Sequence, residues 1–172
     1  MTSRVLPPLI LLLVGCASAP KRPVDLDHAP PDFALGVTVF SPAGEASEID
    51  AQPRPLRPAR YIVEPDRVLR AAIGPGSSPA VYPRQTRRLD AHQADRLWLL
   101  VVESGMLESD AASRIDSVDT FLPARTRTVA SISITCAGST HHHAVRLPSG
   151  DEESQGVLTL VDQLADLAWI PE

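Results

Sequence analysis

A chain of 172 residues, 44% of them apolar, is long enough for one domain with its own core, and needs no disulfide or metal to hold it. Sixteen basic against 21 acidic residues give a net charge of −5, which argues against nucleic acid or an anionic bilayer surface as partner, because both reward clustered cations. The basic residues are almost all arginine, with Lys21 the single lysine, and there are only two cysteines, Cys16 and Cys136.

Arg4 precedes an apolar run over residues 5–14 that is too short for a membrane-spanning helix and is interrupted by Pro7 and Pro8. The run ends in Leu13-Val14-Gly15-Cys16, which resembles the lipobox of a bacterial lipoprotein precursor. The resemblance implies a signal peptide over residues 1–15, a diacylglycerol on the Cys16 sulfur and an acyl chain on its new amine. More than one buried chain makes such anchoring stable. Ala17 behind the cysteine implies sorting to the outer membrane, facing the periplasm. Cleavage after Ala17 or Ala19 is the competing reading, and Pro20 disfavours the second of these. With Cys16 alkylated, Cys136 has no partner for an intramolecular disulfide.

Residues 16–32 carry four prolines and mixed charge, so they read as a lipidated N-terminus and semi-extended tether, with His28 solvated. Residues 33–172 then form one α+β domain, mostly antiparallel sheet of five to six strands with two amphipathic helices. The first strand spans residues 33–40, where Phe33, Leu35, Val37 and Val39 alternate with small residues. Pro53, Pro55 and Pro58 mark residues 41–58 as a loop. Strands over 60–63 and 68–73 join through Glu64-Pro65-Asp66-Arg67, a hairpin turn. Gly74-Pro75-Gly76-Ser77-Ser78 is a turn without the lysine of a phosphate loop. Residues 81–88 form an edge strand whose Arg84, Arg87 and Arg88 guard against stray pairing, or meet an acidic partner.

The helix over 90–104 has the strongest local signals. Asp90 and Gln93 make a capping box, Leu89 staples to Ala94, and Leu97, Trp98, Val101 and Val102 continue an apolar stripe. Gly105 ends it. Residues 108–127 are polar and irregular apart from Ile115, Phe121 and Leu122. A strand over 128–136 places Ala130, Ile132, Ile134 and Cys136 on one face. A four-residue turn, 137–140, and a returning strand, 141–147, follow. The last helix spans 155–168, with Asp151, Glu152 and Glu153 before it and Pro171 after it.

Few residues here could carry chemistry. A four-residue turn would set Cys136 opposite His141, with His143 on the same face, a soft-ligand set for zinc or copper. Three histidines at a hairpin tip are more often solvated, and the expectation is no metal and no cofactor. Ser139 lacks a nucleophile elbow, and a Cys136 facing inward is an inert thiol. Asp110, Asp116 and Asp119 lack the spacing of a calcium loop. Trp98 and Trp169 belong to core faces. No catalytic residue emerges, and the expected activity is a non-enzymatic binding or assembly module with an envelope protein as partner.

The order strand, amphipathic helix, β-hairpin, amphipathic helix from residue 81 onward is similar to emfourin, a bacterial inhibitor family of thermolysin-like metalloproteases. Leu89-Asp90-Ala91 leading to Leu97-Trp98-Leu99-Leu100-Val101, and the hairpin over 131–147 leading to Leu160 and Leu164, carry the likeness. It implies protease inhibition as the alternative activity. The lipobox, tether and added N-terminal strands depart from that family, so no inhibitory residue carries over.

Overall fold

The computed structural model describes residues 25–42, 46–75, 77–107 and 127–168. The lipobox and Cys16, the acidic residues Asp110, Asp116 and Asp119, the apolar Ile115, Phe121 and Leu122, and Trp169 and Pro171 lie outside them.

Six strands form one antiparallel sheet in the order β4-β3-β2-β1-β5-β6. They are β1 (Ala34–Phe40), β2 (Ala59–Val63), β3 (Val68–Ile73), β4 (Arg84–Arg88), β5 (Thr128–Cys136) and β6 (Ser139–Leu147). Two long helices, α2 (Ala91–Glu103) and α3 (Glu152–Leu167), add their apolar stripes to one core. The α+β architecture expected from the periodicities is the architecture found. Alternation decides which strand residues meet the helices: Leu35, Val37 and Val39 of β1 pair with Ile134, Ile132 and Ala130 of β5, and all six are buried. On the other face Gly36 and Thr38 oppose Ser133 and Ser131, which is a small, polar surface.

The β2–β3 turn forms as expected. The Arg67 amide donates to Glu64 O at 2.8 Å and the Glu64 amide to Val68 O at 2.9 Å, so Pro65 and Asp66 occupy a turn closed by Arg67 in the left-handed region, φ 67°. Glycine is the usual residue there, because an L side chain crowds its own carbonyl at positive φ. β4 starts at Arg84 rather than at residue 81. Pro83 has no amide to donate, and a bulge shifts the register between Leu69 and Arg70. Its place at the sheet edge matches the reading from its arginines.

Residues 41–58 contain more regular structure than their prolines suggest. A short helix, α1 (Ala46–Ala51), buries Ile49, and a 3-10 turn spans Arg54–Leu56. Proline is accepted in a first helical turn, where its missing amide would bond nothing. The α2 capping box is complete, with Asp90 accepting from the Gln93 amide at 2.8 Å and Gln93 from the Asp90 amide at 3.1 Å. α3 begins earlier than expected, at Glu152. Asp151 caps it by accepting from the Ser154 amide at 2.7 Å, and the Ser149 hydroxyl, followed by that amide, holds the Asp151 carboxyl below its usual range.

α3 comes close to the C-cap of α2 at Gly156, where a Cβ would lie 2.7 Å from Ser104 Cβ. Helix propensity alone would make Gly156→Ala stabilising by about 1 kcal/mol. The clash is with a rigid Cβ and not a flexible tip, so it decides the sign. We expect a net loss of roughly 1–3 kcal/mol, measured by denaturant unfolding.

Candidate functional site

The β5–β6 hairpin carries the histidines. Its turn has two residues, Ala137 at φ 49° and Gly138 at φ 74°, instead of the four expected. Cys136 therefore pairs with Ser139, while His141 faces Ile134 and His143 faces Ile132. The parity of the expectation holds, since His143 is buried and His142 exposed. The proposed Cys136–His141 pairing does not form. Among the described residues, no three His, Cys, Asp or Glu side chains gather in a way that could hold a metal ion. Burial, helped by the charge of Asp32, pushes the Cys136 thiol upward, away from the nucleophilic thiolate.

His143 is the one anomaly in this region. It is 3% exposed, and among the described residues neither ring nitrogen makes a well-formed hydrogen bond. The carboxylate of Glu153, on α3, stands 4.0 Å from Nδ1. Burial lowers the imidazole pKa, and the Met106 main chain and Glu153 oppose that shift without reversing it.

A second constellation surrounds residues 25–32, the part read as the end of a free tether. These residues form a strap tied to the domain at three places. Trp98 Nε1 donates to Asp25 O at 3.0 Å, Asp95 accepts the Ala29 amide at 2.9 Å and meets His28 Nδ1 at 3.1 Å, and Asp32 accepts the amides of Ala137 and Gly138 at 3.0 and 2.6 Å. Just beyond the strap, the Phe33 ring packs edge-on against Trp98, centroids 5.3 Å apart. His28 is exposed as expected, yet it has a companion. The Asp95 hydrogen bond raises its pKa, and the Ala29 amide, followed by His28, holds the Asp95 carboxyl low.

Between the strap, the β2–β3 turn and the start of α2 lies a cleft of about 200 Å³, lined by Phe33, Val63, Ala94, Glu64, Arg67 and Asp95 among others. Its neighbour, at the β3–β4 corner, is a closed polar group. Glu64 accepts from Arg70 Nε at 3.1 Å and from the Tyr82 hydroxyl, and the Arg70 guanidinium sits 4.8 Å above the Tyr82 ring. The two donors hold the Glu64 carboxyl below its ordinary range. Sequence reading named none of Asp95, Asp32, Arg67 or Glu64 as site residues. Their partners are more than 60 residues away or across a turn, and only the Pro30-Pro31 pair hinted at a fixed path there.

The remaining candidates resolve simply. Gly74 (φ 105°) and Ser77 make the expected turn, with Ser77 N to Gly74 O at 3.0 Å. Glu152 and Glu153 sit in the first turn of α3, and Trp98 is fully buried. Among the described residues, no helix is long and apolar enough to cross a membrane. No protein-family model matches the chain, and no curated protein matches it.

Proposed function

We propose that the chain is an envelope lipoprotein, anchored through Cys16 to the periplasmic face of the outer membrane, whose domain acts as a non-enzymatic binding or assembly module. The observation that supports this reading is the strap. Its bonds from Asp25 to Asp32 hold the chain against α2 and the β5–β6 turn, so a pull on the anchor is delivered to the folded core. Asp25 lies nine positions after Cys16, which keeps the start of the strap within about 30 Å of the attachment point. That is the geometry of a module presented at a surface. In the host, Cys16→Ser is expected to move the protein from the membrane to the soluble fraction and abolish acyl labelling; an unmodified N-terminus at Ser18 in the wild type would overturn the anchor. Pull-down from solubilised envelope is expected to recover a specific partner, and recovery of abundant porins alone would remove the module.

The order β4, α2, β5, β6, α3 supports a second reading, an emfourin-like protease inhibitor. Full activity of a thermolysin-type protease in the presence of excess domain would end it.

A further inference from the structure

The cleft beside the strap has an apolar floor and one charged group with nothing to do. Phe33, Val63 and Ala94 are 4%, 1% and 3% exposed, and Pro30, Pro31 and Pro65 wall them in. Of the three charged residues on the rim, Asp95 has both oxygens engaged by the strap, one by the Ala29 amide and one by His28. Glu64 is bound by Arg70 and Tyr82. Among the described residues, the exposed Arg67 side chain makes no hydrogen bond or ion pair. Arg67 also occupies the left-handed turn position that glycine or asparagine fills without strain. Among the described residues, the other non-glycine residue at positive φ, Ala137, has its amide held by Asp32. An arginine at the strained position trades local stability for a guanidinium on the rim of an apolar hole.

We propose that this cleft binds a free carboxylate joined to a small aliphatic group. The Arg67 guanidinium takes the carboxylate through paired N–H donors, and the Phe33–Val63–Ala94 floor takes the aliphatic group. A volume of about 200 Å³ is below the roughly 300–1,000 Å³ of drug-sized sites, so it suits one side chain and not a nucleotide or cofactor. A peptide ending in an aliphatic residue and a short branched fatty acid share this chemistry. The inference rests on the reading of the domain as a binding module, and gives that module a ligand class.

The test is NMR titration of the 15N-labelled full chain in detergent with N-acetyl-leucine, its neutral amide, and cationic leucinamide. The acid is expected to shift amides near residues 29–33, 64–67 and 91–95, and the amide to bind at least about tenfold more weakly. Arg67→Asn is expected to weaken the acid about tenfold while the melting temperature stays level or rises, because asparagine relieves the strained turn. A pentapeptide ending in leucine that binds more tightly than isocaproate names a peptide terminus as the source, and equal affinity names the free acid; both support the site. Equal binding of acid and amide, preference for leucinamide, or no shift up to about 10 mM acid overturns it. An Arg67→Asn chain that still captures the wild-type envelope partner also removes the cleft while leaving the module standing. A wild type that binds the acid but captures no partner does the reverse.

Discussion

Replacing Trp98 by alanine is expected to lower the unfolding free energy by about 3–5 kcal/mol, a large share of what a domain of this size has. The indole is fully buried in the core and meets Phe33 edge-on at 5.3 Å. It also bonds the strap, through Nε1 to Asp25 O at 3.0 Å. Truncation thus opens a cavity and cuts the strap loose in one step. Trp98→Phe separates the two effects. It keeps most of the packing and loses the Asp25 bond, so the expected cost falls to about 1–2 kcal/mol. Denaturant unfolding reads the total, and hydrogen exchange at residues 25–29 reads the strap. If Trp98→Phe leaves exchange in the strap unchanged, the indole bond is not what holds it.

The strap also marks where sequence reasoning stops. Every element legible in the sequence announced itself locally: alternation in β1 and β5, the Asp90–Gln93 capping box of α2, the proline-containing turn before β3, the arginines of the β4 edge. The features that misled depend on partners far along the chain. Residues 25–32 look like a tether because they are polar and proline-rich, yet Asp95 and Trp98 offer them a carboxylate and an indole N–H some 70 positions later. The Ala137-Gly138 turn is a similar case. An alanine at positive φ is a poor signal for a two-residue turn, and it is the carboxylate of Asp32, more than 100 residues earlier, that accepts both turn amides. With two residues in that turn instead of four, Cys136 stands opposite Ser139 and not His141, so the candidate ligand set does not line up, while the strand parity that buries His143 holds. Pattern gave faces correctly because the period of a strand is local. It missed register and docking because those are settled across the fold.

His143 turns that surviving parity into a pH dependence. Its imidazole is buried without a well-formed hydrogen bond, and burial, against the weaker pull of the Met106 main chain and Glu153, sets its folded pKa below the ordinary 6.5. The unfolded chain therefore binds a proton in a pH range where the folded chain does not. Its contribution to stability is complete above pH 6.5 and is lost as the pH falls from there through the folded pKa. With at most about 1.4 kcal/mol lost per pH unit below 6.5, the domain is expected to be less stable at pH 5 than at pH 7, by no more than about 2 kcal/mol. Asp95, Glu64 and Asp151 have lowered carboxyl pKa values and lose their contributions only at more acid pH, below their ordinary range. His28 has the opposite sign, since its raised pKa gives stability at low pH that is lost as the pH rises, and its exposure keeps that effect small. His143→Leu removes a buried ring that has no well-formed hydrogen bond, so it is expected to match the wild type at pH 7 or exceed it, and to flatten the loss between pH 7 and pH 5. Glu153→Gln should steepen that loss, because the carboxylate 4.0 Å away is what an imidazolium would turn to. Denaturant unfolding at pH 5, 6 and 7 measures all three chains. An equal slope in wild type and His143→Leu would mean that the imidazole escapes burial when it protonates, and that the corner where β6 meets α3 opens at little cost.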